Sequence, residues 1–240
     1  MGAKALLARL REDVAALIYP PQCSHCGAVE TGAMCRFLCD RCWQQLQNEA
    51  VPLLRRADDV PSHASPLAAC DFDLAAWHYA VSSLQTLIPQ MKYHAHPSFA
   101  ASMGEWAARR MAPQLRHLFA AQPLLLPVPL HPTRQRERGF NQSELIARAL
   151  ATAWHVELQP HGLLRLRYTK QQALLGAEER VRNVHGAFGL HAALNLATRT
   201  VLLVDDVITT GATMSACARV VKEHGASCVG ALALARVTNH

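Results

Sequence analysis

The sequence predicts an α/β protein: a mostly parallel sheet flanked by helices, with a small cysteine-rich subdomain at the N-terminus. Strand-like and helix-like segments alternate from about residue 71 onward, as they do in α/β architecture. The strongest strand candidate, RTVLLVDD (199–206), is apolar on both faces, which is typical of a central parallel strand. Five of the eight cysteines lie between residues 23 and 42, outside the alternating region.

Composition divides the chain into three regions. Residues 1–50 hold a helical pattern and then the cysteine cluster, residues 51–70 carry three prolines and suit a connector, and residues 71–240 hold the alternating elements. The first 20 residues combine helical spacing with several charges, which favours an amphipathic helix over a secretory signal. No run of about 18 apolar residues occurs. We therefore expect no membrane insertion and a cytoplasmic protein.

The elements of the third region follow in order. We predict strands over 70–80, 123–130, 199–206 and 226–236, and helices over 81–93, 97–119, 141–154 and 211–225. The prolines of the second strand indicate a strand end or edge. Asn141, with Glu144 three residues later, predicts a capping box at the start of its helix.

The strand at 199–206 ends in two adjacent carboxylates, Asp205 and Asp206. Ligands of open α/β sheets bind at that edge. Ionised carboxylates only accept hydrogen bonds, so a ribose diol, which offers two donors, is a natural partner. A turn with threonine hydroxyls and a glycine leads into a helix N-terminus, which favours a phosphate. The pattern predicts a site for ribose 5-phosphate, with the following loop residues: Val207, Ile208, Thr209, Thr210, Gly211, Ala212 and Thr213.

Other phosphate motifs fit this stretch poorly. The loop lacks the lysine of a P-loop, and the dinucleotide fingerprint G-x-G-x-x-G is absent. A helix cap with incidental aspartates is the structural alternative.

The stretch VLLVDDVITTGATM (201–214) resembles the signature for 5-phosphoribosyl 1-pyrophosphate (PRPP) of the type I phosphoribosyltransferases. The resemblance implies the fold of that family. It also implies that Asp205 and Asp206 hold the ribose hydroxyls and that Ile208 to Thr213 surround the 5-phosphate. Mg²⁺ on the pyrophosphate is implied as well, in keeping with its preference for oxygen ligands.

Three arginines, Arg134, Arg136 and Arg138, fall in a predicted loop between a strand and a helix of this basic chain, whose net charge is +6. Alone, they indicate a nucleic-acid patch, a solvated surface or a pyrophosphate clamp equally well. The PRPP signature favours the clamp, with Arg134 and Arg138 as its candidates. The loop also resembles the V-P-V-P-x-h-x-x-R-x-x-R-G-F-N-Q stretch of the ComF competence proteins, most closely at Pro127–Pro129 and Arg138–Gln142.

Residues 165–188 form a long charged segment without sustained amphipathic spacing. Loops of this length inside a compact domain are usually functional or disordered, and a solvent-exposed helix is the alternative. In type I phosphoribosyltransferases a flexible loop that closes over the reactants occupies this place, and the residue pattern again resembles the ComF branch. Lys170 and Arg180 are the candidates to neutralise departing pyrophosphate, and closure would exclude water.

The cysteines follow the pattern C-x₂-C-x₁₂-C-x₂-C through Cys23, Cys26, Cys39 and Cys42. This spacing is typical of a structural zinc site, in which four thiolates leave no open position for catalysis. A disulfide framework or an iron–sulfur centre is the alternative, and we expect Cys35 not to be a ligand. The motif also matches ComF-like proteins, so the resemblance covers nearly the whole chain.

Two functions stay open on the sequence. The first is a PRPP-dependent transferase that releases pyrophosphate. The second is a non-catalytic module that binds PRPP or a nucleotide and docks onto DNA-uptake machinery or binds single-stranded DNA, as the ComF resemblance implies. A zinc-containing nucleic-acid binder that uses the basic surface is a third reading, which the aspartate–threonine motif disfavours.

Overall fold

The computed structural model describes residues 22–29, 32, 37–57, 67–93, 97–167 and 186–237. The chain forms two compact units, Met1–Glu49 and Ala50–His240. In the first unit the cysteine segment leads into helix α1 (Asp40–Asn48), whose buried residues include Cys42, Trp43 and Leu46. The predicted N-terminal helix and Cys35 lie outside the described residues.

The second unit is built on a six-stranded sheet. Its strands are β1 (Leu53–Arg56), β2 (Phe72–His78), β3 (Leu124–Pro127), β4 (Glu157–Leu158), β7 (Thr200–Ile208) and β8 (Cys228–Arg236), in the order β1-β2-β8-β7-β3-β4. Strand β1 runs antiparallel to β2, and the other pairings are parallel. A separate antiparallel pair consists of β5 (Leu163–Arg165) and β6 (Phe188–Leu190).

In the described part of this unit five helices accompany these strands: α2 (Ser82–Tyr93), α3 (Pro97–Phe119), α4 (Pro132–Arg138), α5 (Gln142–Trp154) and α6 (Ala212–Glu223). The α/β fold class with a mostly parallel sheet is therefore confirmed. None of the described helices combines the length and the apolar character that a membrane span needs.

The sheet contains a topological switch point between β3 and β7. From β3 the chain passes through α5 to β4 on one side, and from β7 it passes through α6 to β8 on the other. Since such crossovers are right-handed, α5 and α6 lie on opposite faces of the sheet. The carboxyl ends of β3 and β7 therefore flank the crevice in which sheets of this type bind ligands.

Helices α3 and α5 pack closely on one face of the sheet. A Cβ atom added at Gly104 would lie 2.8 Å from the Cβ of Ala149, so a glycine permits this approach. The indole Nε1 of Trp154 donates a hydrogen bond to the carbonyl oxygen of Ala108 at 3.0 Å. These contacts fix α5, whose first turn lies beside the end of β7.

The structure differs from the sequence prediction at β7, α4 and β1, and it adds the short strands β4, β5 and β6, which were not predicted. Strand β7 continues past Asp205 and Asp206 to Ile208, because β8 extends alongside it while its pairing with β3 stops at Val204. The arginine run predicted as a loop is helix α4, which has Pro132 in its first turn and ends at Gly139 with a φ of 78°. Strand β1 lies within the segment predicted as a connector.

Candidate functional site

The two aspartates lie on β7 directly after its last residue paired with β3. Asp205 is half-buried, and its Oδ1 accepts hydrogen bonds from the hydroxyl of Ser143 at 2.8 Å and from the backbone N–H of Asp206 at 2.9 Å. Asp206 is 6% exposed. Two carboxylates are therefore held side by side at the carboxyl edge of the sheet.

A lysine distant in the sequence balances this charge. The Nζ atom of Lys92, in the last turn of α2, lies 2.8 Å from Oδ2 of Asp206. Burial would lower the pKa of Lys92, but the charges of Asp206 and Asp205 outweigh it and raise that pKa. Lys92 is thus held as an ammonium group beside the aspartates.

Asp205 is held at an energetic cost. Burial, followed by the neighbouring charge of Asp206, raises the pKa of Asp205 to about 7, against the opposing effects of the Ser143 hydrogen bond and of Lys92. A carboxyl group so perturbed at the crevice of an α/β sheet marks a candidate functional site.

The predicted phosphate loop after the aspartates, residues 207–213, contains both buried and exposed side chains. The side chains of Ile208 and Ala212 belong to the hydrophobic core, so these residues can offer a ligand only their backbone. Thr209 is exposed, and Thr210 and Thr213 are half-buried. Gly211 adopts a φ of 75° and directly precedes α6, so a residue with a side chain would be strained there.

The arginine segment contacts the aspartate region through the first turn of α5. Arg134 and Arg138 are half-buried, whereas Arg136 is exposed. Nη1 of Arg138 donates to Oε1 of Gln142 at 3.4 Å, and Nε2 of Gln142 donates to the carbonyl oxygen of Met91 at 3.4 Å. Gln142 therefore links α4 to the end of α2 that carries the lysine.

The start of α5 is anchored to the end of β3. Oδ1 of Asn141 accepts from the backbone N–H of Ser143 at 3.1 Å, which confirms the predicted N-cap. The Asn141 amide donates to the carbonyl oxygen of Val128 at 3.0 Å. Glu144, the predicted second half of the capping box, accepts from Arg148 at 2.7 Å.

The predicted flap falls largely on residues 168–185, outside the described part of the chain, and so do its candidates Lys170 and Arg180. The residues before and after it are described: Arg165, at the end of β5, pairs with Phe188, at the start of β6.

The first unit contains one group of metal-ligand geometry among its described residues. The Sγ atoms of Cys23, Cys26, Cys39 and Cys42 all lie within 4.8 Å of one another. Tetrahedral zinc with Zn–S bonds of about 2.3 Å requires sulfur atoms about 3.8 Å apart, and Sγ of Cys26 and Sγ of Cys39 are 3.7 Å apart. The cluster therefore fits a tetrahedral metal ion.

Backbone groups prepare one ligand of this cluster for ionisation. Burial opposes ionisation of Cys23, but the N–H groups of Cys26, Cys39 and His25 lower its pKa to about 6. Burial and the three neighbouring thiols raise the pKa of Cys42. Thiols crowded in this way cannot all ionise without a cation among them, and metal binding would supply that cation.

Sequence reasoning did not assign the supporting residues of the aspartate pair. Gln142 is the last residue of the stretch that resembles ComF proteins, and Ser143 follows it directly. Lys92 lies in Met91–Tyr93, which resembles a short stretch of the family without an assigned role. Their positions next to Asp205, Arg138 and Asp206 depend on the packing of α2 and α5, which the sequence pattern does not reveal.

Comparisons with known proteins agree with these observations. The phosphoribosyl transferase domain family matches residues 96–239. The chain is 30% identical to the DNA utilization protein YhgH of Escherichia coli K12 over 219 residues, which cover 89% of this chain and 83% of that protein. It is 34% identical to Competence protein F of Haemophilus influenzae over 113 residues, covering 47% and 49%, and 34% identical to Competence protein ComFC of Bacillus subtilis over 102 residues, covering 42% and 39%.

The raised pKa of Asp205 predicts a pH-dependent gain in stability for Asp205→Asn without ligand. The folded protein holds this proton up to about pH 7, whereas an unfolded aspartate loses it near pH 4. Stability is therefore lost as pH rises through this window, and asparagine escapes that loss. We expect a gain of about 1–2 kcal/mol at pH 8, or roughly 2–4 °C in Tm for each kcal/mol, and a smaller gain at pH 5.

The matched control is Asp206→Asn, measured by calorimetry at the same two pH values. This variant removes the carboxylate 2.8 Å from Lys92 and should be less stable than Asp205→Asn at both. An Asp205→Asn protein less stable than wild type at pH 8 would contradict the assignment of Asp205 as the strained carboxyl.

Proposed function

This chain belongs to the phosphoribosyltransferase family, in its ComF-type branch, and we propose that it binds PRPP at the switch point and transfers the ribose 5-phosphate group with release of pyrophosphate. The observation that carries the proposal is the pair of carboxylates on β7, next to a glycine turn and the N-terminus of α6. The carboxylates can accept hydrogen bonds from the ribose hydroxyls, and the helix N-terminus that follows can bind the 5-phosphate.

In this proposal each end of PRPP has its own residues. Asp205 and Asp206 accept hydrogen bonds from the 2- and 3-hydroxyls of the ribose. Residues 208–213 surround the 5-phosphate with backbone N–H groups and with the hydroxyls of Thr209, Thr210 and Thr213. The half-buried arginines of α4, Arg134 and Arg138, bind the pyrophosphate, since one guanidinium group can donate two parallel hydrogen bonds to a phosphate.

Transfer breaks the bond between ribose C1 and a pyrophosphate oxygen, and the bonding electrons leave with pyrophosphate. A nucleophilic atom of the acceptor forms the new bond to C1, and its proton passes to the released pyrophosphate or to water. Positive charge builds on the ribose in between, as in glycoside chemistry. The carboxylates beside the ribose stabilise that charge, and the arginines stabilise the negative charge of the leaving group.

Mg²⁺ suits this site as a companion of the substrate. The phosphate oxygens of PRPP, beside the carboxylates of Asp205 and Asp206, would offer the hard oxygen donors that the ion prefers. When bound, Mg²⁺ neutralises part of the charge on pyrophosphate.

We further propose a link to the uptake or use of DNA. The relatives carry the names DNA utilization protein and competence protein. The alternative for this chain is a non-catalytic module that binds PRPP or a nucleotide and docks onto DNA-uptake machinery or binds single-stranded DNA. The arginines of α4 are the basic residues through which such a module would bind DNA, so replacing them tests this alternative.

We also propose that the cysteine cluster holds structural zinc. Four sulfur ligands at tetrahedral spacing leave no vacant position for a substrate, so the ion would stabilise the first unit instead of taking part in transfer. Cysteines that serve as metal ligands stay unoxidised in a reducing compartment such as the cytoplasm.

PRPP with Mg²⁺ should stabilise the wild-type protein against thermal unfolding. At a ligand concentration one hundred times Kd, the expected gain is about 2.7 kcal/mol. The double variant Asp205→Asn, Asp206→Asn should lose most of that gain. Its neutral amides replace the carboxylates that accept hydrogen bonds from the ribose hydroxyls and attract the metal ion. An equal thermal shift in wild type and double variant would rule out the ribose assignment.

Replacing arginines separates a pyrophosphate site from a nucleic-acid patch. Arg134→Ala with Arg138→Ala should weaken PRPP binding much more than ribose 5-phosphate binding, and the exposed neighbour Arg136→Ala serves as the matched control. If the arginines instead bind the backbone of single-stranded DNA, the logarithm of the DNA affinity falls linearly with the logarithm of the salt concentration. The magnitude of that slope should then drop by about 0.7 for each arginine contact removed. Unchanged PRPP affinity with a reduced DNA salt slope would favour the binding-module alternative.

The purified protein should contain about one zinc ion per chain. Cys39→Ser should release most of it, and a chelator should unfold the first unit before the second, since metal binding is coupled to folding. Cys228→Ser, in β8 of the second unit, is the control and should retain zinc. Elemental analysis that finds equal zinc in both variants would refute this ligand set.

A further inference from the structure

Lys92 lies outside the three stretches to which the proposed function assigns PRPP, yet it makes a close ion pair within the site. Its Nζ atom is 2.8 Å from Oδ2 of Asp206, and the two side chains are 28% and 9% exposed. The pair is therefore screened from water much better than the surface pair between Lys222 and Asp71, whose side chains are 37% and 42% exposed.

The fold holds Lys92 in place from two sides. It occupies the last turn of α2, where a helix dipole favours a positive charge. The preceding residue, Met91, is buried, and its carbonyl oxygen accepts the hydrogen bond from Gln142 of α5. Lysine is thus directed at Asp206 by the same helix start that directs Ser143 at Asp205.

Four charged groups determine the balance here: Asp205, Asp206, Lys92 and Arg138. Both aspartates favour the ammonium form of Lys92, and Arg138 opposes it. Without Lys92, two adjacent carboxylates would face the crevice, and no other cation of the described residues pairs with Asp206. A ligand with phosphate groups at both ends would meet a repulsion that grows with its own charge.

Building on the proposed function, we infer that Lys92 is a positioning residue of the PRPP site. It holds the carboxylate of Asp206 in one orientation and cancels one of the two negative charges, so that the aspartates can bind the hydroxyls of a polyanionic sugar phosphate. Lys92 acts through Asp206, and no contact between Lys92 and the substrate is required.

The test compares three ligands of increasing charge, ribose, ribose 5-phosphate and PRPP with Mg²⁺, on Lys92→Met by calorimetric titration. Loss of a charge should weaken PRPP binding about tenfold or more, ribose 5-phosphate binding less, and ribose binding least. A merely structural role would weaken all three equally. The graded loss should shrink at high salt, and Lys92→Arg should restore affinity to within about threefold.

Two controls accompany these titrations. Lys222→Met removes a lysine from an ion pair of similar length, 2.7 Å to Asp71, and should leave all three affinities unchanged. In an Asp206→Asn background, Lys92→Met should have little further effect, because the charge it balances is already gone. Equal losses for all ligands, or an undiminished effect in that background, would overturn the inference.

Failure of the proposed function would look different. Wild-type protein that binds neither PRPP nor ribose 5-phosphate refutes that function without any variant, and it overturns the role of Lys92 in PRPP binding with it. Wild type that binds PRPP, together with a Lys92→Met protein of unchanged affinity and unchanged Tm, overturns the inference alone.

Discussion

The site depends on one constraint: two adjacent carboxylates must stay at the edge of a buried strand without unfolding it. Burial and mutual repulsion raise the free energy of the ionised pair. Three groups stabilise the pair: the hydroxyl of Ser143 and the backbone N–H of Asp206 donate hydrogen bonds to Asp205, and the ammonium group of Lys92 pairs with Asp206. Each comes from a different element, so the packing of α2, α5 and β7 is tied to the charge of this pair.

The topology gives the aspartates room that a regular sheet would not. β3 ends in Pro127, and Pro129 lacks an N–H group with which to continue the ladder. Pairing with β7 therefore stops at Val204, while β8 supports β7 to Ile208. The aspartates consequently have a supporting strand on one side and the crevice on the other, and the turn at Gly211 starts α6 within a few residues of them.

Local patterns predicted the parts of the fold that local forces determine. The apolar run before Asp205 predicted the central strand, and the cysteine spacing predicted the cluster that the structure brings together. The same reasoning failed at α4, where Pro132 and Gly139 act as helix boundaries around a sequence that looks like a charged loop. Lys92 could not be predicted as a partner of Asp206, because their contact arises from the tertiary packing of α2 and not from any spacing along the chain.

The arrangement around Asp205 also bears on the role of this aspartate. Replacing a carboxyl group whose charge is destabilised by its surroundings with an uncharged residue is commonly neutral or stabilising, so stability alone does not favour an aspartate at this position. The aspartate pair is nevertheless supported by two side chains from distant parts of the chain, Ser143 and Lys92. Carboxyl groups with a shifted pKa occur most often where a protein binds or transforms a ligand. The raised pKa of Asp205 and the ion pair of Asp206 therefore make this crevice a candidate site on physical grounds independent of the family resemblance.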